Sequence, residues 1–397
     1  MTHDTDLPQG YKATALGVIP QKWEVKFLGD LLSRCTNGLT YDVSITCGIP
    51  VTRIETISTG EINYAKVGYI PNESGYETFR MQKGDILYSH INSLSQIGKV
   101  AYYKGDKEIY HGMNLLLLRA NNCLDKQYLY YTLLTEHMRH MAQIIAKPAV
   151  NQASISTSDL KRVKIAVPPL AEQRKIAEVL GVWDEAIEKQ ARLIEKLALR
   201  KRGLMQRLLS AKLRLPGFSD PWKELKINKI TIIRKGEQVN KDVLFSNAKY
   251  PVINGGITPS GYLDIYNTKA NTITISEGGN SCGYVNFMTT PFWSGGHCYT
   301  IEAKDGINNL FIYQLLKNNE KYIMSLRVGS GLPNIQIKDL GNLKFMIPTY
   351  QEQTAIAEVL TASDREIELA KEKLERLRRQ KRGLMQQLLT GKKRVKY

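Results

Sequence analysis

The sequence predicts a mixed α/β (α+β) fold in two tandem copies, each followed by a long helix. The main observation is an internal repeat, since residues 168–212 align without a gap on residues 348–392 at a shift of 180, with 22 of 45 positions identical. Both copies carry an unbroken heptad pattern, which is typical of a long helix. The regions between them resemble short strands with turns, each followed by a helix.

The repeat also defines the expected domains. Trp23 in PQKWEVK corresponds to Trp222 in DPWKELK, so each variable region begins in the same way. Between these landmarks the two copies diverge almost completely. We therefore expect four segments, which are a first globule (1–167), a helical region (168–212), a second globule (213–347) and a second helical region with a basic tail (348–397).

Each helical region should bury a seam against a partner helix. A 4-3-4-3 spacing holds for more than four heptads, and one such helix cannot bury its own seam. Parallel in-register pairing would oppose Lys201 to Lys381, so we expect an antiparallel coiled coil with a pseudo-two-fold axis. The apolar seam residues are Ile176, Leu180, Trp183, Ile187, Ile194, Leu197 and Leu204, and then Ile356, Leu360, Ile367, Leu374, Leu377 and Leu384.

Charge points to a polyanionic partner. The chain has 55 Lys and Arg against 38 Asp and Glu, a formal charge of +17, and nucleic acid is the usual polyanion. No apolar run is long enough for a membrane span, and the N-terminus lacks signal-peptide character, so we expect no membrane. Five dispersed cysteines without a CxxC pair argue against a zinc or other metal site and suit a reducing cytoplasm.

Two polar segments in each globule are the candidate DNA contacts, because their side chains suit base edges and phosphates. In the first globule, segments 84–105 and 146–156 contain Ser89, His90, Asn92, Ser93, Gln96, Lys99, Lys147, Asn151 and Gln152. In the second, segments 271–287 and 327–336 contain Ser276, Glu277, Asn280, Ser281, Arg327, Ser330 and Asn334.

These features together resemble a known family, the specificity subunits of type I restriction-modification enzymes. The resemblance rests on the pattern P-x-x-x-E-Q-x-x-I-A-E-V-L at 168–180 and 348–360, on KRGLMQxLL at 201–209 and 381–389, and on the tryptophan that begins each variable region. It covers nearly the whole chain.

The resemblance implies a function. Each globule would be a target recognition domain for one half of a bipartite, asymmetric site in double-stranded DNA, with the coiled coil as the spacer. Two methyltransferase subunits would methylate adenine with S-adenosylmethionine, and restriction subunits would cut DNA with ATP and Mg²⁺. This chain itself would bind no cofactor and catalyse nothing. The sequence agrees, since it has no NPPY or DPPY, phosphate-loop or HExxH motif.

Three alternatives are open at this stage. The chain could be the separate specificity subunit of a related type II system that cuts on both sides of its site. It could be a stand-alone DNA-binding regulator, although no helix-turn-helix pattern supports that. It could also be a nuclease or methyltransferase with an unrecognised motif, which cofactor binding or cleavage by the single chain would favour. The neighbouring genes would distinguish these alternatives.

Overall fold

A computed structural model describes residues 7–149, 152–329 and 333–396. The chain divides into two compact units, residues 1–189 with 374–397 and residues 190–373. Each unit therefore combines one globule with the first part of the long helix that follows it and the second part of the other long helix.

The first unit is built on an antiparallel sheet with the strand order β4-β10-β7-β9, and β13 pairs with β3 beside it. Its remaining strands form a three-stranded sheet, β11-β12-β8, and the pairs β1-β2 and β5-β6. The strands are β1 (Tyr11–Thr14), β2 (Gly17–Pro20), β3 (Glu24–Phe27), β4 (Leu32–Asn37), β5 (Ile49–Val51), β6 (Gly68–Ile70), β7 (Ile86–Tyr88), β8 (Ile91–Asn92), β9 (Val100–Tyr102), β10 (Leu116–Ala120), β11 (Lys147–Ala149), β12 (Gln152–Ser154) and β13 (Lys164–Val167). Its helices are α1 (Lys126–Leu133), α2 (Glu136–Ile145), α3 (Thr157–Lys161) and the first part of α4 (Leu170–Leu208).

The second unit has a sheet of equivalent order, β15-β21-β18-β19, with β14 paired to β22 and a smaller sheet β17-β16-β20. Its strands are β14 (Lys223–Lys226), β15 (Thr231–Lys235), β16 (Tyr250–Ile253), β17 (Gly261–Leu263), β18 (Thr272–Ser276), β19 (Val285–Met288), β20 (Trp293–Ser294), β21 (Cys298–Ala303) and β22 (Lys344–Ile347). Its helices are α5 (Ile227–Ile230), α6 (Asn309–Asn318), α7 (Glu320–Ser325), α8 (Ile337–Asn342) and the first part of α9 (Tyr350–Leu388).

The single helix expected at the end of each strand region is in fact two helices in each globule. In the first, the Thr135 side chain accepts a hydrogen bond from the Met138 backbone N–H, which caps a new helix directly after α1. In the second, Asn319 ends α6 and begins α7. The apolar periodicity runs through both breaks, so it does not reveal them.

The repeated Glu-Gln pair connects each long helix to its globule. Glu172, fully buried, accepts a hydrogen bond from Trp23 Nε1 at 3.0 Å and two from the Arg394 guanidinium at 2.5 and 2.8 Å. In the second unit, Glu352 is bound in the same way by Trp222 at 3.1 Å and by Arg214 at 2.6 and 2.8 Å. Each arginine follows the end of the long helix whose second part belongs to that unit.

The glutamine of each Glu-Gln pair forms hydrogen bonds with the backbone just before α1 or α6. Gln173 Oε1 accepts from the Asp125 N–H at 2.8 Å, and its Nε2 donates to the Pro168 carbonyl at 2.9 Å. Gln353 makes the equivalent bonds to the Asn308 N–H and the Pro348 carbonyl, at 2.8 and 2.9 Å. Because burying a polar group without a partner is costly, these hydrogen bonds stabilise the buried amide at each position.

The long helices run antiparallel in each unit, as expected. In the first unit, Lys381 Nζ lies 2.5 Å from Asp184 Oδ1. In the second, Lys201 Nζ lies 2.5 Å from Asp364 Oδ1, and Gln190 Nε2 donates to the Ala370 carbonyl at 2.9 Å. From the pair Gln190–Ala370 to the pair Lys201–Asp364, the residue number rises along α4 and falls along α9.

The apolar seam residues are buried or half-buried without exception. The first part of each helix enters the core of its own unit, with Ile176 and Leu180 packed in the first and Ile356 and Leu360 in the second. Leu388 completes the first core and Leu208 the second, so each core requires both long helices.

Candidate nucleic-acid interface

In each globule the two polar segments, far apart in sequence, lie side by side. In the first, β12 pairs with β8 so that Ala153 lies opposite Asn92, and the Ile155 N–H donates to the His90 carbonyl at 2.8 Å. In the second, the Ile335 N–H donates to the Glu277 carbonyl at 2.9 Å, and the Gly279 N–H to the Pro333 carbonyl at 3.1 Å. Each globule thus carries a composite polar surface made of both segments.

The first segment of each globule contains a loop, residues 89–98 and 276–283, and both loops are closed by the same type of backbone hydrogen bond. The Gly98 N–H donates to the Ser89 carbonyl at 2.8 Å, and the Gly283 N–H donates to the Ser276 carbonyl at 2.8 Å. These two glycines have φ of +79° and +89°, which disfavours a side chain. A Cβ on Gly98 would lie 2.7 Å from the Ala142 Cβ on α2, and one on Gly283 would lie 2.8 Å from the Met324 Cα on α7. Close packing on α2 or α7 therefore fixes each loop.

In the first loop, the predicted residues divide into internal and accessible groups. Ser89 and His90 are buried, and Ser89 Oγ accepts from Asn92 Nδ2 at 3.1 Å. Asn92 and Gln96 are half-buried and Ser93 is exposed. Half-buried Lys99 extends along the surface and donates to the Ser58 carbonyl at 2.7 Å.

Burial lowers the pKa of His90 to about 4, so its ring is neutral near pH 7. A neutral imidazole offers DNA no cationic contact, and the Nδ1 atom has no partner within the described part of the chain. The position of His90 suits a core role, whereas Asn92, Ser93 and Gln96 remain available to a ligand.

The second segment of the first globule is more exposed. Lys147, on β11, has a side chain 76% exposed and lies 3.6 Å from the Asp159 carboxylate. Gln152, on β12, is exposed. Asn151 lies outside the described residues, as does Ser330 of the second globule. An exposed lysine on a hairpin suits a phosphate contact.

In the second globule, Glu277 is the centre of a charged cluster that the sequence did not reveal. Its Oε1 accepts from Lys235 Nζ at 2.6 Å and lies 3.0 Å from the Tyr299 hydroxyl. Its Oε2 lies 3.7 Å from His297 Nδ1 and is not hydrogen-bonded within the described residues. Lys235 and His297 are 53% and 61% exposed. Strand β15 and the residue just before β21, both outside the predicted segments, therefore add nitrogen-bearing side chains here.

The other predicted residues of the second globule also divide into buried and accessible side chains. Ser276 is buried, and both Ser276 Oγ and Ser281 Oγ donate to the Gly255 carbonyl, each at 2.5 Å. Asn280, Arg327 and Asn334 are exposed. They provide amide and guanidinium groups of the kind that pair bidentately with base edges.

The described residues also bear on whether the chain holds a metal site or a membrane span. Within residues 7–149, 152–329 and 333–396, no group of three or more His, Cys, Asp or Glu side chains is arranged to hold a metal ion. All five cysteines are free thiols. In the same ranges no helix has the length and apolar character of a membrane span.

Comparison with known proteins gives the family. A sequence model of the type I restriction modification DNA specificity domain matches residues 20–198 and 219–379. A Methanocaldococcus jannaschii protein, named putative type I restriction enzyme MjaX specificity subunit, is 36% identical over 98% of this chain and 97% of its own length. A second protein of that organism, the type I restriction enzyme MjaVIII specificity subunit, is 24% identical over 95% of this chain and 94% of its own.

The fold agrees with solved structures. The type I restriction-modification system S subunit from M. genitalium superposes with a TM-score of 0.64 at 21% identity, covering 98% of this chain and 99% of that one. A chain from a study of complex assembly and conformational transition of the type I system superposes with a TM-score of 0.58 at 16% identity, covering 94% and 99%. With two matches to the family model and a full-length relative, the chain belongs to the specificity subunits of type I restriction-modification systems.

Proposed function

We propose that the two globules, residues 1–167 and 213–347, each recognise one half of a bipartite, asymmetric sequence in double-stranded DNA. The observation that carries this proposal is the duplicated composite surface. The two globules, whose sequences have diverged almost completely between the repeated landmarks, bring two polar segments together through equivalent backbone hydrogen bonds. Divergent side chains on a shared backbone frame are what two different half-sites would require.

Charge supports DNA as the ligand. The chain carries a formal charge of +17, and binding should release condensed counterions from the duplex. Exposed Lys147 in the first unit, and Lys235 and Arg327 in the second, lie on the segments that form the composite surfaces or beside them. These cations would bind DNA phosphates and so position the duplex, while the asparagine and glutamine side chains would contact the base edges.

We propose further that this chain is a non-catalytic subunit that acts in the cytoplasm. Its partners would be two methyltransferase subunits and the restriction subunits, which would bind S-adenosylmethionine, ATP and Mg²⁺. Its own residues would supply recognition and scaffolding. Membership of the family does not favour a stand-alone regulator or the separate subunit of a related type II system.

Selection of the full chain, with and without its methyltransferase partner, on random duplex DNA tests this function. The expected enriched sequence has two specified blocks separated by an unspecified gap. The chain alone should neither cleave DNA nor transfer methyl groups from S-adenosylmethionine. Enrichment of one uninterrupted block, or turnover by the single chain, would contradict the proposal.

A further inference from the structure

Each seam lysine is paired with an aspartate on the facing helix. Lys381 pairs with Asp184 in the first unit and Lys201 with Asp364 in the second, with 2.5 Å between Nζ and Oδ1 in both. The two lysine side chains are only 12% exposed. The aspartates occupy equivalent positions of the repeat, 180 residues apart.

The other carboxylate oxygen of each aspartate is bound by the globule of the same unit. The Tyr131 hydroxyl, on α1, donates to Asp184 Oδ2 at 2.7 Å, and Lys381 Nζ lies 4.9 Å from the centre of the tyrosine ring. In the second unit, Gln314 Nε2, on α6, donates to Asp364 Oδ2 at 2.8 Å. Different residue types thus make the same connection.

This arrangement penalises any other helix register. Sliding one helix by a heptad would move the lysine by roughly 10 Å, from 1.5 Å per residue. The ammonium would then lie in an apolar seam without its counter-ion, which is costly. A polar residue at a seam position specifies register for this reason.

A series of packed helices links each aspartate to the proposed DNA-contacting loop of its own unit, residues 89–98 or 276–283. Tyr131 lies on α1, α2 follows α1 directly, and Ala142 of α2 packs against Gly98 at the end of the first loop. In the second unit, α6 carries Gln314 and the next helix, α7, packs through Met324 against Gly283. The same sequence of contacts therefore occurs twice.

We propose that Asp184 and Asp364 are positioning residues that couple the register of the helix pair to the orientation of the composite surface in their own unit. This inference rests on the proposed function, because it concerns how DNA-contacting loops are held. It assigns a role in half-site discrimination to two residues that are remote in sequence from the loops.

The test uses the full chain and DNA sites selected by the wild-type protein. Asp184→Asn should reduce discrimination within the half-site bound by the first globule by about threefold to tenfold, the size of typical contact couplings. Discrimination in the other half-site should not change. Asp364→Asn is the matched control and should give the reverse pattern. Tyr131→Phe should reproduce the loss in the first half-site although it keeps the ion pair.

A charge-exchanged variant separates positioning from stability. Asp184→Lys combined with Lys381→Asp and Tyr131→Phe restores an ion pair across the helices, but leaves position 131 without a hydroxyl that could bond with residue 184. We expect this variant to recover thermal stability while half-site discrimination stays reduced. Unchanged discrimination in a folded Asp184→Asn variant, or recovery of both properties in the exchanged variant, would overturn the inference. A wild-type chain that selects no DNA sequence would overturn the proposed function, and this inference with it.

Discussion

The buried Glu172 carboxylate gives a sharp stability prediction through Arg394→Met. The substitution removes two hydrogen bonds to a fully buried charge, and among the described residues it leaves the one from Trp23 Nε1 at 3.0 Å. Removing one partner of a buried ion pair costs about 3–5 kcal/mol. Because the Arg394 side chain is 32% exposed and water can reach the vacated space, we expect a cost of about 3 kcal/mol, at the lower end.

Calorimetry of the full chain measures this cost. A loss of that size in a unit of this length lowers Tm by roughly 6–12 °C, from 2–4 °C per kcal/mol. The effect should appear in the transition that contains the first unit. Arg214→Met, the equivalent change at Glu352, should lower the transition of the second unit instead.

A double variant tests the physical reason. If the cost comes from an unpaired buried charge, Glu172→Gln combined with Arg394→Met should recover much of the lost stability, because a neutral amide is cheaper to bury. An Arg394→Met chain with wild-type Tm would show that the ion pair with Glu172 does not stabilise the first unit. A double variant less stable than Arg394→Met alone would refute the reasoning that an unpaired buried charge causes the cost.

Three further predictions concern pH, base contacts and salt. Burial lowers the pKa of His90 and His111 from 6.5 to about 4, so the unfolded chain binds more protons than the folded chain in this pH range. The free energy of unfolding should therefore fall as pH drops from 6.5 towards 4, by about 1–3 kcal/mol for each histidine. His111→Asn should flatten this pH dependence in denaturant titrations at several pH values, and an equally steep profile would contradict the assignment. Asn92→Ala should weaken binding to one half-site, and Asn280→Ala or Arg327→Ala to the other, by about 1–3 kcal/mol where a bidentate base contact is lost. Binding profiles across sequences will distinguish this from a lost phosphate contact, which weakens all sites alike, and three unchanged profiles would contradict the assigned interface. Affinity should fall steeply and linearly with salt on logarithmic axes, and a flat salt response would argue against phosphate contacts.

The long helices were predictable because their signals are local and repeated. A heptad seam needs only residues three and four apart, and the seam burial follows the predicted positions from Ile176 to Leu384. The antiparallel direction was also inferred, from Lys201 and Lys381. A stronger signal was present in the charge distribution. Residues 350–370 carry five acidic and one basic side chain, whereas 371–388 carry seven basic and two acidic. In an antiparallel pair of such helices, the acidic first half of one helix lies beside the basic second half of the other.

The connections at the helix ends could not be inferred from pattern. Arg394 and Glu172 are separated by 222 residues, and no local rule indicates that they meet. The repeat does align Arg214 with Arg394 and Glu172 with Glu352, so identical ionisable residues in both copies were a usable clue. The buried Trp23 and Trp222 were recognised as landmarks, but their hydrogen bonds depend on tertiary contacts.

The two polar segments of each globule were predicted from the sequence, and their contact with DNA stays a prediction. Polarity and loop position identified both segments in each globule, but polarity alone does not reveal which side chain turns inward. Ser89, His90, Ser276 and Glu277 are buried, because each lies at the end of a strand of the central sheet or just after it. Lys235 and His297 were missed because they lie on or beside other strands that only the fold brings to Glu277.

Exchange of the composite surface in the first globule tests whether its two segments together determine one half of the recognised site. Segments 84–105 and 146–156 would be replaced together by those of a relative that recognises a different site, in the full chain with its partner subunits. Sequence-resolved binding should then show one half of the site changed to that of the donor, with the other half and the gap unchanged. Replacing either segment alone should give weaker or mixed recognition, since both contribute to one surface. A change in both halves, or no change with both segments exchanged in a folded protein, would contradict the account.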